Sequence, residues 1–132
     1  MVLLDTNVLV DVLQDDPQWA VWSLAQMRAQ SLIHGLLINP VVYIELSLSF
    51  SSLESLDRVI ATMELGFREI PKPALFLAAK AFAMYRRRGG SKTQVLPDFF
   101  IGAHAAVEGW TLLTRDAARF RTYFPSLSVI AP

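Results

Sequence analysis

The chain has no cysteine. That excludes a disulfide framework, cysteine-ligated zinc and thiol catalysis, and it is compatible with a reducing compartment. Net charge is missing too, because 12 acidic and 12 basic residues cancel. A protein that coats nucleic acid with a uniformly basic surface is thereby excluded, although a local basic patch is not. There is no apolar run long enough to span a bilayer. The longest uncharged stretch, Ala29 to Ile44, is interrupted by His34, Gly35, Asn39 and Pro40. An acid at position 5 arrives too early for a signal peptide, so a soluble, cytoplasmic protein is expected. Repeats, low-complexity tracts and linkers are also lacking. With 132 residues, the chain is read as a single domain, 1–132, able to bury one core without staples. Its apolar fraction of 53% exceeds the usual ~45–50%. This leaves open a generous core or an apolar surface used for association.

What is present is an alternation of short apolar runs with longer helical stretches, the pattern of a parallel α/β sheet. Val2-Leu3-Leu4 reads as a buried first strand, followed by a helix over 6–13. Pro17 suits the first turn of a second helix, running to about Ala29. Gly35 to Ile38 is a second strand, stopped by Asn39-Pro40. A helix over 41–50 carries Glu45, and Ser51-Ser52 opens another that reaches Leu65. Phe67 to Ile70 reads as a short strand. A long helix over 73–88 stops at Gly89-Gly90. Pro97-Asp98 opens the next helix, which ends near Gly109. Trp110 to Thr114 is a buried strand, a short helix begins at Asp116, and Leu127 to Ile130 is a last strand.

Three acids share one kind of position. Asp5 directly follows a strand, Asp116 lies just past the Leu112-Leu113 strand, and Asp98 opens a helix after a loop. In open parallel sheets the strand C-termini and the following helix N-termini share one edge, where ligands bind. These carboxylates can therefore converge from distant parts of the chain. Glu45 sits within Val41-Val42-Tyr43-Ile44-Glu45-Leu46, and a charge in such an apolar run needs water, a cation or a hydrogen-bond partner. Each acid also has a plainer reading. Aspartate is a favoured N-cap, and Asp5, Asp98 and Asp116 all stand where helices are expected to begin. Glu45 taken alone reads more often as the solvated side of its helix.

Together with their neighbours these acids carry a resemblance. Leu3-Leu4-Asp5-Thr6-Asn7-Val8-Leu9 resembles the opening of PIN-domain nucleases. Glu45 stands where that family has its second acid. Asp98-Phe99-Phe100-Ile101-Gly102-Ala103 is similar to its D-x-x-I-A-A helix start, and Thr114-Arg115-Asp116 to its T-x-D pattern, with Phe120 beyond. The motifs fall in the family's order and spacing over nearly the whole chain. Within the family the sequence most resembles the compact VapC-type toxins of bacterial toxin–antitoxin pairs. Gly102 departs from the usual Ala, and His104 from a usual small residue. The resemblance implies a three-layer α/β/α fold with a central, mainly parallel sheet. It also implies an endoribonuclease that uses Mg²⁺ or Mn²⁺, a cognate antitoxin as partner, and a homodimer.

The chemistry needs what the four acids offer. Hydrolysis of an RNA phosphodiester adds negative charge to a group already anionic. A hard divalent cation neutralises that charge and lowers the pKa of a bound water. Carboxylates without His or Cys suit Mg²⁺ or Mn²⁺ better than zinc. Asp5 and Asp98 are assigned as principal ligands, directly or through water. Asp116 and Glu45 complete the site, and one of them orients or deprotonates the attacking water. Asn7 and Thr114 are short polar residues placed to hold these carboxylates, or equally to make local turn bonds.

Other features persuade less. Arg86-Arg87-Arg88 and Lys92 complement a helix C-terminus as well as they would contact an RNA backbone. Arg115, with Arg119 and Arg121, extends the same basic rim. Trp19, Trp22 and Met27 read first as core and second as a groove for an antitoxin segment. His104 reads as core or dimer interface. An aspartyl phosphatase usually wants a second acid where Asn7 stands, and a receiver domain wants an acidic pair there. The non-catalytic alternative is a weak PIN-like module that binds nucleic acid or a partner.

Overall fold

A computed structural model describes all 132 residues. Five parallel strands form one sheet in the order β3-β2-β1-β4-β5. The strands are β1 (Val2–Leu4), β2 (Leu36–Ile38), β3 (Gly66–Phe67), β4 (Thr111–Leu113) and β5 (Val129–Ile130). Seven helices flank it: α1 (Thr6–Leu13), α2 (Ala20–Ser31), α3 (Pro40–Ser47), α4 (Leu53–Thr62), α5 (Lys72–Arg87), α6 (Pro97–Glu108) and α7 (Ala118–Tyr123). This is the α/β/α architecture with a parallel sheet that the alternating pattern implies.

The three central strands are continuous aliphatic triplets or nearly so. A strand covered on both faces must be apolar at every position rather than at alternate ones. Leu3, Leu4, Leu37, Ile38, Leu112 and Leu113 accordingly have no more than 1% of their surface exposed. They form one cluster with Val8 and Leu9 of α1, Val42 and Leu46 of α3, Ala74, Ala78 and Ala81 of α5, and Phe99 and Ile101 of α6. Small alanines let α5 lie close against α6. Gly102 is explained by packing. A Cβ there would come within 2.5 Å of the Phe124 ring and 3.0 Å of the Phe120 ring, so the missing methyl is the seat of two aromatic side chains.

Several boundaries differ from the sequence expectation. The second helix starts at Ala20 rather than at Pro17, because Asp16 folds the preceding residues into a turn, accepting from the N–H groups of Gln18 and Trp19 at 2.9 Å each. The third helix stops at Ser47, whose hydroxyl donates back to the Tyr43 carbonyl at 2.7 Å, a bond that competes with helix continuation. The outer strands β3 and β5 are only two residues long. No helix is long and apolar enough to cross a membrane.

The strand order reverses at β1. The chain builds β2 and β3 to one side, then returns to place β4 and β5 on the other. Ligands of open parallel sheets gather at such a switch point, outside the carboxyl ends of the strands. Asp5 leaves β1 at that place, and Thr114, Arg115 and Asp116 leave β4 beside it.

Candidate active site

Asp5 is the residue where β1 becomes α1. Its backbone is extended, and its carboxylate accepts from the N–H of Thr6 at 2.7 Å, so the capping expectation holds for this acid. It does not hold for Asp98, and Asp116 makes only a long contact of this kind, its Oδ1 accepting from the Ala118 N–H at 3.4 Å. Leu96 is the cap of α6, and Asp98 is the second residue inside that helix, one position beyond Pro97. Ala117 is the cap of α7, and Asp116 precedes it in the β4–α7 turn. Pro97 takes the first helical position because it has no N–H to leave unpaired. The carboxylate is thereby displaced from the cap, and Asp98 points into the cleft instead of serving its own helix.

The four acids line a single cavity of about 310 Å³. Asp5, Glu45, Asp98 and Asp116 form its acidic wall, and Thr6, Asn7, Val10 and Arg115 the remainder. Glu45 reaches it from α3, where its Oε1 accepts from the Thr6 hydroxyl at 2.6 Å. It is therefore neither core nor free surface. A larger cavity of about 520 Å³ opens near the start of β2, lined among others by Met27, Arg28, His34 and Glu64. It holds one carboxylate, so chemistry assigns the smaller cavity.

Thr114 lies behind the acids rather than among them. It is fully buried and donates its hydroxyl to Asp5 Oδ2 at 2.7 Å. Thr114 Oγ1 itself accepts from the Asp116 N–H at 3.1 Å and from Asn7 Nδ2 at 3.5 Å. Asn7 Oδ1 in turn accepts from the Arg115 N–H at 3.2 Å. Asn7 and Thr114 thus tie the end of β1 to the end of β4. Asp98 Oδ2 is paired with the Arg119 guanidinium at 3.1 Å, and that guanidinium lies over the rings of Tyr85 and Phe99.

Burial dominates the electrostatics. It pushes Asp5 up to about 7, against the Thr114 and Thr6 bonds that favour the charged form, and the negative charges of Asp98 and Glu45 push the same way. Asp98 is also raised, by burial first and by Asp116, with Arg119 opposing. Like charges held together in a shallow, partly dry site disfavour one another's ionisation. A cation relieves that. No group of three or more Asp, Glu or His side chains stands ready to hold a metal ion, and Thr6, Thr114 and Arg119 engage Glu45, Asp5 and Asp98 separately. The donor chemistry nonetheless fits a hard cation: carboxylate, hydroxyl and carboxamide oxygens, with no imidazole or thiolate lining the cavity.

Of the basic candidates, Arg115 alone lines the cavity. Arg86 donates to the carbonyls of Gly90 and Lys92 at 2.9 and 3.0 Å, closing the loop after α5. Arg88 covers the Tyr123 ring. Met27 is buried, while Trp19 and Trp22 are half-buried and meet edge to face. His104 is in the core, 1% exposed, with Nδ1 3.2 Å from Asn39 Nδ2. Sequence reading missed Thr6, whose signal was its place between Asp5 and Asn7. It also missed Asp11, a charge inside an apolar helix, as Glu45 is.

An α/β domain with an acidic pocket at the carboxyl edge of its sheet is the class that fold and site define. The chain belongs to the PIN-domain family, whose sequence model matches residues 2–124. PIN domains are generally nucleases, hydrolases acting on nucleic acid. Solved structures agree on the fold. VapBC2 from Rickettsia felis, bound to a promoter DNA fragment, is 18% identical with TM-score 0.75, covering 99% of this chain and 98% of that one. VapBC from Salmonella typhimurium, also DNA-bound, is 18% identical with TM-score 0.72, covering 98% and 96%. FitAcB from Neisseria gonorrhoeae is 22% identical with TM-score 0.68, covering 98% and 96%. No curated protein matches the sequence.

Proposed function

We propose that this chain is a Mg²⁺- or Mn²⁺-dependent endoribonuclease and the toxin of a toxin–antitoxin pair. The observation that carries the reading is Asp5, a buried carboxylate raised to about 7 and facing further carboxylates in one cavity. Such a group is satisfied by a divalent cation or by a proton, and only the first leads to hydrolysis. Asp5 and Asp98 would be the principal ligands, with Asp116 and Glu45 completing the set. When bound, the cation neutralises charge on the phosphate and acidifies a water. Thr114 and Thr6 hold Asp5 and Glu45 in place, and Glu45 or Asp116 takes the proton of the attacking water. Arg119, paired with Asp98 at 3.1 Å, offsets its charge while no cation is bound, and Asp98 would have to leave that pair to serve as a ligand.

RNA as the substrate and an antitoxin as the partner rest on the family resemblance. They are supported by the folds of toxin–antitoxin complexes that cover almost the whole chain. Exposed Leu32 and Ile33 after α2, with Ile44 on α3 and Leu48 just after it, supply apolar surface for an antitoxin and for a second copy. The pairing of Asp98 with Arg119 and the lack of a ready three-acid cluster favour one other reading, a weakly catalytic PIN-like module that binds nucleic acid or a partner. One experiment separates them: cleavage of single-stranded RNA with Mg²⁺, with Mn²⁺ and with excess chelator. Cleavage that needs the metal is expected. Cleavage undiminished by chelator overturns the metal mechanism, and RNA left intact under all conditions leaves the binding module.

A further inference from the structure

The cavity is acidic, yet its ligand would be a polyanion. Something must hold phosphate near four carboxylates. Two arginines stand at the site, and they differ in what restrains them. Arg119 is bound to Asp98, one of the proposed metal ligands. Arg115 is bound to Asp11, which does not line the cavity. The Arg115 Nε donates to Asp11 Oδ2 at 2.8 Å and an Nη donates to Oδ1 at 3.0 Å, a two-pronged bond that fixes the guanidinium plane. Asp11 is 2% exposed and takes a third bond from the Ser23 hydroxyl at 3.0 Å. The Trp19 ring supports the guanidinium at 5.5 Å, and Asn7 holds the Arg115 backbone.

An arginine has five N–H donors. Asp11 takes two of them, leaving three with no protein partner, and the side chain remains 32% exposed beside the cavity. A guanidinium fixed by one carboxylate, belonging to a residue that lines the cavity and retaining unbonded donors, is a built anion contact.

We propose that Arg115 docks a backbone phosphate of single-stranded RNA next to the scissile one, and that Asp11 is the positioning residue that aims it. This rests on the ribonuclease reading. The ion pair keeps Asp11 from repelling RNA and spares Arg115 the loss of freedom that a mobile side chain suffers on binding.

The test reads binding and cleavage separately. Binding of a single-stranded RNA oligonucleotide is measured by fluorescence anisotropy in Ca²⁺ over a range of salt, and steady-state cleavage is measured in Mg²⁺. Arg115→Gln should weaken binding about tenfold, with the loss in KM rather than kcat. It should lower the salt slope by about the 0.7 expected for one phosphate contact to a single strand. Arg115→Lys keeps the charge and the slope but loses the fixed fork, so it should recover binding only in part. Asp11→Asn should weaken binding several-fold at unchanged slope, and should have no further effect when Arg115 is already Gln. The double variant Asp11→Asn with Arg115→Gln leaves no buried charge unpaired and stands in if Arg115→Gln folds poorly. Folded variants with wild-type affinity and slope would overturn the proposal, as would a wild type that binds no RNA. Wild-type binding that depends on Arg115 without any cleavage would retain the phosphate contact and remove the ribonuclease reading.

Discussion

Two acids on one short segment are buried alike and treated in opposite ways. Asp5 is 6% exposed and Asp11 2%. Asp11 has a guanidinium on both oxygens and a serine hydroxyl besides. Asp5 has two neutral donors, Thr6 N–H and Thr114 hydroxyl, and its nearby charges are the carboxylates of Asp98 and Glu45. One turn of helix and a half separates a compensated charge from an uncompensated one. A fold tolerates the second kind where a ligand completes it, because an unpaired buried charge otherwise costs several kcal/mol. Under the proposed function, Asp5 is the acid that a ligand would complete, and Asp11 is the acid that supports Arg115.

The sharpest way to break that comparison is activity. Asp5→Asn and Asp98→Asn keep the shape and remove a ligand charge, so RNA cleavage should fall on the order of 10²–10⁴-fold. Asp11→Asn should stay within about tenfold of wild type at saturating RNA, because Asp11 touches neither metal nor substrate. Equal losses at Asp5 and Asp11, measured by initial rates on one RNA, would erase the distinction. Asp98→Asn adds a control against a merely structural role. Asp98 is not a cap, so the amide has no helix end to spoil.

Metal binding should divide the same residues. A cation that binds only the folded chain stabilises it by about 2.7 kcal/mol at a hundred times its Kd. Calorimetry with and without Mg²⁺ should show this stabilisation in wild type and in Asp11→Asn, and little of it in Asp5→Asn or Asp98→Asn. A wild type whose melting ignores Mg²⁺ at millimolar concentration would remove the site.

Stability without metal should then move in opposite directions. Asp11→Asn strands Arg115 without its carboxylate. The cost of breaking a buried pair is about 3–5 kcal/mol, and the solvent reaching Arg115 reduces it to about 1–2 kcal/mol here. Asp5→Asn removes one of several mutually repelling carboxylates and keeps a hydrogen-bonding side chain, so its metal-free melting temperature should equal or exceed that of wild type. Thermal melts in chelator decide it, and a large loss in Asp5→Asn would mean that the Thr6 and Thr114 bonds outweigh the repulsion.

The sequence was informative about these places in unequal measure. Asp5 was legible because a strand of Val2, Leu3 and Leu4 can only end at the polar edge of the sheet, and Glu45 because an apolar run does not carry a charge idly. The same rule applied to Asp11, between Val10 and Val12, went unused, because its partner Arg115 lies 104 positions away and nothing local announces it. Asp98 was legible, with Pro97, as the opening of its helix, but that Leu96 rather than Asp98 is the cap was not. The pairing of Arg119 with Asp98 depends on α7 packing beside α6, a tertiary fact with no local signal. The edge strands β3 and β5 are too short to have a period. The central strands were plain for the opposite reason, being apolar at every position.

The smallest effect tests the origin of the difference between the two acids. Asp5 has a folded pKa of about 7 against an ordinary 3.8. Between those values the folded chain holds a proton that the unfolded chain has released. Stability therefore falls as pH rises from the ordinary carboxylate range, and the loss is complete once pH passes the folded value. From pH 6 to pH 8 the loss attributable to Asp5 is at most about 1.4 kcal/mol. His104 acts with the opposite sign. Burial lowers its pKa, so the folded chain resists a proton that the unfolded chain accepts, and stability falls as pH drops below the ordinary histidine value of about 6.5. The wild-type profile mixes the two, whereas the difference between wild type and Asp5→Asn isolates the acid. In chelator, Asp5→Asn should gain stability relative to wild type as pH is raised from 6 to 8. Addition of Mg²⁺ should reverse that order, because the cation takes the place of the proton and binds better as pH rises. Urea melts at the two pH values, with and without the metal, give the four differences required. A difference that does not change with pH would mean that Asp5 is already ionised at pH 6, its charge compensated within the fold as that of Asp11 is, and the contrast between the two acids would then fail at its source.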